Sequence, residues 1–175
     1  VRLMLDYSFT FGGVDIREKY GLYVGSWQDV LKPALRARKL TIAGRDGAWD
    51  FGAHAYDERQ ITVRLVGQLT YAQRRELAFA LSEKHQLRYW EEPDLYYIGR
   101  VYNAAAIARL PADAKQFTVT FTCEPFAYGK TTTLDLSRDI QYAGTASTPT
   151  RIEIKNTGST AITKVRLRIR ERSRS

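Results

Sequence analysis

The stretch "KQFTVTFTCEPFAYGK", residues 115–130, constrains the fold more than any other. Phe117, Val119, Phe121 and Cys123 alternate with Thr118, Thr120 and Thr122. A period of two, built from aromatic and β-branched residues, belongs to a strand with one face buried and one face wet. Pro125 then removes a ladder donor, yet Phe126 and Tyr128 follow before Gly129. A strand end that turned polar would need no further cover; these aromatics do. They either fill the core of their own domain or anchor the chain where it passes on to something else.

Other segments repeat the strand signal. "LDYSFTF" alternates Leu5, Tyr7, Phe9 and Phe11 with polar residues and runs into Gly12-Gly13, a hairpin turn. "VDI" and "GLYVGSW" read as short strands around a bend at Lys19–Gly21, and Arg36–Ile42 as a strand followed by a tight connection at Gly44–Gly47. "RQITVRLVGQL" places Ile61, Val63 and Leu65 on one face. "LRYW" and "LYYIGRVYNA" flank the turn "EEPD". One helix is predicted, over "TYAQRRELAFALSEKHQ". Thr70 and Gln73 form a capping box, Leu77, Ala78, Leu81 and His85 lie on the inner stripe, and Arg74, Arg75, Glu76 and Glu83 face water. "AGTASTPT" at 143–150 reads as a linker between a main domain, 1–142, and a C-terminal β segment, 151–175. That segment holds "TRIEIKN" and "TKVRLRIR", two strands joined by a polar turn at Asn156–Thr160. Many strands, hairpin connections and one helix make an α+β chain with mainly antiparallel sheet.

Charge is concentrated rather than spread. Of the net +8, residues 151–175 carry eight Lys/Arg against two Glu, and Lys32–Arg45 hold five basic residues and no acidic one. The remainder is nearly neutral, which points to local partner surfaces. No stretch reaches the ~20 apolar residues of a membrane span, and residues 1–25 lack the apolar block of a secretory signal. The single cysteine, Cys123, has no partner for an internal disulfide and reads as a small buried hydrophobe from a reducing compartment.

Signs of catalysis are sparse. His54 and His85 have no paired spacing, and with one cysteine they do not make a structural zinc site. "YGKT" fails as a phosphate loop, because Glu124 occupies the place of the required glycine and would repel phosphate. Glu91, Glu92 and Asp94 beside Pro93 read as a solvated turn rather than a cation site. No serine sits in a nucleophile elbow. No cofactor, metal or catalytic residue is expected. Lys164, Arg166, Arg168 and Arg170 share one face of the last strand and offer a phosphate-binding alternative, a nucleic-acid module, though no aromatics interleave with them. A solvated or aggregation-resistant strand face explains the same pattern.

Taken in order, "FTFGGVDIREKYGLYV", "GRDGAWDFG", "ITVRLVGQLTYAQRRELAFALS", "PDLYYIGRV" and "FTVTFTCEPFAYG" resemble the N-terminal domain of the distal tail protein of long, non-contractile-tailed phages, over residues 3–130 or so. The resemblance implies a tail-tube-like β-sandwich or barrel with one packed helix, followed by the start of a second β domain. It implies a structural virion protein at the distal end of the tail, assembled in the host cytoplasm. Members form a homohexameric ring that joins the tail tube protein to the tail-tip hub or baseplate protein, with DNA or the tape measure protein passing through the channel and no membrane partner. Phages, gene transfer agents and tail-like bacteriocins all use such parts. "RIEIKNTG" and "KVRLRIR" resemble the opening of the outer β-sandwich, which two strands do not complete; a partial sequence and a reduced appendage both stay open, no sugar-binding role is carried over from the resemblance, and a carbohydrate-binding adhesion module stands as a further alternative suggested only by the outer domain of relatives.

A ring protomer needs two different, mutually fitting surfaces. The long segment Leu31–Phe51 is suited to reach over a neighbour, with Arg36, Arg38, Lys39, Arg45, Trp49 and Phe51 as candidate contacts. Phe126 and Tyr128 are candidates where the ring domain hands over to the outer segment.

Overall fold

The computed structural model describes residues 7–52, 55–133, 144–146, 148 and 150–165. It divides into two units, Val1–Asp135 and Leu136–Ser175. The first unit holds every helix and strand among the described residues.

Its framework is the pair β6 (Arg59–Gly67) and β10 (Lys115–Cys123), antiparallel in unbroken register from Lys115↔Gly67 to Cys123↔Arg59. Ile61, Val63 and Leu65 face inward beside Phe117, Val119, Phe121 and Cys123, all buried. The alternation read from sequence therefore runs the whole length of both strands. Around them the sheet is eight-stranded, in the order β2-β1-β7-β8-β10-β6-β3. Here β1 is Phe9–Phe11, β2 Val14–Asp15, β3 Leu22–Gln28, β7 His85–Tyr89 and β8 Tyr97–Val101. A further strand, β9 (Ile107–Arg109), pairs with the start of β10 on the edge that β8 takes nearer its end.

Connectivity forces this sheet to curl. β2 and β3 close opposite ends of the strand order, yet only α1 (Ile16–Tyr20) and Gly21 separate them in sequence. A five-residue helix spans about 7.5 Å, so the two edges come together. The Phe9 ring accordingly meets Trp27 at 5.6 Å and Phe121 at 5.8 Å across the interior.

The strand read in "VDI" is present over Val14–Asp15, but helix α1 takes Ile16 and replaces the bend read at Lys19–Gly21. The Asp15 carboxylate accepts from the Arg17 and Glu18 amides at 2.8 and 3.0 Å, and Gly21, at φ 63°, closes the helix. Among the described residues there are thus two α-helices rather than the one expected. The long helix α2 (Tyr71–Ser82) has the expected capping box between Thr70 and Gln73, and Leu77 and Leu81 are buried. Ala78 is exposed, and His85 lies in β7 rather than on the helix, because the chain leaves helical geometry at Glu83. "LYYIGRVYNA" is a strand only over Tyr97–Val101.

In β3 the register shifts between Val24 and Ser26. A bulge inverts the alternation beyond it, so Leu22, Val24 and then Trp27 pack towards the core. In the second unit, residues 150–165 form no strand, so "TRIEIKN" makes no ladder among the described residues. The expected polar turn is present: the Asn156 side chain accepts from the Gly158 amide at 3.0 Å and donates to the Thr160 carbonyl at 2.9 Å. Arg166, Arg168 and Arg170 lie outside the described residues, as does His54.

Packing leaves no room beside Gly99 in β8. A Cβ there would stand 2.5 Å from Cys123 Sγ and 2.9 Å from the Thr122 carbonyl. Backbone cannot yield as a side chain does, so Gly99→Ala is expected to lose about 1–3 kcal/mol. A lowered thermal midpoint with unchanged far-ultraviolet circular dichroism is the measurement.

Candidate assembly interface

Between β3 and β6 the chain leaves the large sheet and forms a separate two-stranded arm, β4 (Lys39–Thr41) paired with β5 (Ala48–Asp50). This is the core of the expected strand Arg36–Ile42. Gly44 and Gly47 have φ of 78° and 73°, as a tight return requires. The arm's root is ladder-like as well: Leu35 bridges Tyr56, and the Arg36 and Asp57 amides donate to the Ala55 and Ala34 carbonyls.

Register divides the arm into two unlike faces. Leu40 lies opposite Trp49, and the Phe51 amide donates to the Arg38 carbonyl. Side chains alternate along a strand, so Arg38, Leu40, Ile42, Trp49 and Phe51 share one face. Lys39 and Asp50, directly opposite each other, share the other with Thr41 and Ala48. The first face is apolar and exposed: Leu40 is 51% accessible, Trp49 46% and Phe51 58%. Its only charge is basic. Arg38 belongs to it, and Arg45 lies over the Trp49 ring at 4.8 Å. Arg36 is engaged elsewhere, pairing with Asp57 at 2.9 Å.

The root is fixed by a residue with no mark in the sequence. Arg59, at the start of β6, binds both Asp29 oxygens at 3.1 Å and the Val30 carbonyl at 2.6 Å, while its guanidinium covers the Tyr97 ring at 5.2 Å. It ties the end of β3, the arm's first residues and the start of β8 together. Only their distance in sequence hid this pairing of Asp29 with Arg59.

Phe126 and Tyr128 both pack on the first unit. Tyr128 exchanges backbone hydrogen bonds with Tyr96 at 2.7 and 2.9 Å, and the two rings stack at 5.7 Å. Its hydroxyl donates to Glu124, which also takes Lys84 at 2.6 Å. Those two bonds hold Glu124 below the usual carboxylate range. Their support is therefore present at neutral pH and lost as pH falls through the folded value. Phe126 meets Tyr56 edge-on at 5.1 Å beside the arm's root and keeps part of its ring exposed. Trp49 and Phe51 thus share one face of the arm, Lys39 lies on the other, and Phe126 sits at the root, while Tyr128 packs on Tyr96 instead.

Burial pushes the Cys123 thiol up to about 12. At pH 8 the native protein is expected to resist thiol reagents, while the unfolded chain reacts fully. Stoichiometric labelling of the native protein would contradict this placement. Among the described residues no group of three His, Cys, Asp or Glu stands close enough to hold a metal ion.

Residues 18–123 match the model of the phage tail protein RIFT-related domain family. Among solved structures, the chain resembles the crystal structure of the SPP1 Dit protein, described as a paradigm of the hub adsorption apparatus in phages infecting Gram-positive bacteria. The TM-score is 0.56 at 23% identity, over 71% of this chain and 52% of that one. The chain thus spans about half the length of SPP1 Dit. No curated protein matches. The family match covers more than half of the chain and the fold agrees with it: the chain belongs to the phage tail protein RIFT-related domain family, built on the fold seen in SPP1 Dit.

Proposed function

We propose that this tail protein forms a closed hexameric ring at the distal end of the tail tube, joins the tube protein to the tail-tip hub or baseplate protein, and leaves a channel for DNA. Its work is mechanical joining, not catalysis. The observation that carries the reading is the arm: two short strands with an apolar face open to solvent. An isolated two-stranded ribbon is marginal in water, and an exposed apolar face of this kind fits a surface covered on assembly. A ring of more than two copies needs head-to-tail contacts between different surfaces, and a projecting arm supplies one of them. Trp49, Phe51, Arg38 and Arg45 make the contact in this reading, with Phe126 continuing it at the root. Residues 143–150 then link the ring domain to the segment 151–175. The protein belongs to the virion and is assembled in the host cytoplasm.

Native mass spectrometry tests this. The purified protein, alone or with the tube or hub protein added, is expected to show a hexamer. Monomers that persist with both partners present would refute it.

A further inference from the structure

The arm's docking surface on the neighbouring copy can be sought by charge and shape. What it must receive is a strip of Leu40, Ile42, Trp49 and Phe51 with the cations Arg38 and Arg45 on it, Asp46 being the one carboxylate beside Arg45 in the turn. The matching surface is aromatic and acidic. Helix α2 exposes Tyr71 and Phe79, but Arg75, Glu76 and Glu83 put both signs around them. The loop between β7 and β8 is different. Glu91, Glu92 and Asp94 are exposed, with no basic residue between Tyr89 and Ile98. Against the loop lies an aromatic platform: Tyr7 stacks on Trp90 at 4.7 Å, Trp90 meets Trp27 at 5.3 Å, and Tyr7 remains open to solvent. The Tyr89 hydroxyl donates to Glu92 at 2.9 Å and fixes that carboxylate.

We infer that the arm of one copy docks on the Tyr7–Trp90 platform and the Glu91–Asp94 loop of the next copy, with Arg38 and Arg45 facing the carboxylates. This rests on the ring reading above. Geometry supports the match. Arg59 contacts both the arm's root, at the Val30 carbonyl, and Tyr97 at the end of the acidic loop, so both surfaces leave the sheet at the same end. Copies in a closed ring differ by rotation only, so surfaces at one end meet without a rise along the axis. The arm and the acidic corner are two different surfaces of one copy. That makes the contact heterologous, as closure needs.

Two variants test it. One reverses the arm, Arg38→Glu with Arg45→Glu; the other reverses the loop, Glu91→Lys with Asp94→Lys. All four positions are exposed, and unchanged circular dichroism checks the fold. Each variant alone juxtaposes like charges and is expected to raise the concentration needed for ring formation roughly tenfold or more. A 1:1 mixture restores opposite charges at every contact, so it should form rings at near wild-type concentration, with the two chains alternating by mass. If wild type forms rings and the mixture does not, the arm docks elsewhere and only this inference falls. If wild type forms no ring even with its tube partner, the ring reading falls and takes this inference with it.

Discussion

Replacing Phe121 with alanine is expected to cost about 3–5 kcal/mol, the largest loss from any single change in the sheet. Phe121 is fully buried in β10, between Ile61 of β6 and Val101 of β8. Its ring also meets Phe9 at 5.8 Å and Phe11 at 5.1 Å, so it touches both the central pair and the strand that the curl brings round. Alanine would leave a cavity that side chains fixed on three strands, β1, β6 and β8, cannot collapse to fill. Domains of this size are stable by only about 5–15 kcal/mol, so the variant should be close to unfolding at 37 °C. Denaturant titration is the check. A lower midpoint with an unchanged slope is predicted, and a shift worth less than about 1 kcal/mol would mean that the curled interior is packed otherwise.

The second large effect separates folding from assembly. Trp49→Ala combined with Phe51→Ala should leave stability within about 0.5 kcal/mol, because both side chains are exposed on the arm. Aromatic anchors at an interface each carry about 2 kcal/mol or more. Together they should weaken each contact by about a thousandfold. Lys39→Ala with Thr41→Ala, on the opposite face of the same arm, should leave assembly nearly unchanged. The comparison holds the arm's backbone constant and varies only the face. Equal loss from both pairs would show that the arm's presence matters and its apolar strip does not.

The parts that were legible in the sequence share one property: the pattern was long enough to repeat. Nine residues each in β6 and β10 give four or five turns of a two-residue period, and Thr70 with Gln73 marks a helix start chemically. Shorter devices escaped. Helix α1 has five residues, too few for a helical stripe to show, although Asp15, Glu18 and Gly21 carried its cap signals. The bulge after Val24 reverses which face Trp27 takes, and no periodicity foretells a register shift. His85 continued the helical spacing of Leu77 and Leu81 but lies past the point where the backbone extends.

The arm shows a subtler limit. Trp49, Phe51 and the cations of Lys32–Arg45 were visible as candidates, but read as a basic run. Arg38, Leu40 and Ile42 fall on one face with Trp49 and Phe51 only once the register Leu40↔Trp49 is known. Arg59 and Asp29 are thirty positions apart and became a clamp only through the pairing of β3 with β6. Residues 151–165 show the converse: the alternation in "RIEIK" makes no ladder among the described residues, and most of its expected partner, "TKVRLRIR", lies outside them.

The most direct measurement is electron cryo-microscopy of the intact particle, with density for this chain assigned by fitting the first unit. The account predicts six copies closed around an open channel at the far end of the tail tube, each arm lying across the adjacent copy. Density that places the chain in isolated copies, or away from the tube's distal end, would contradict it.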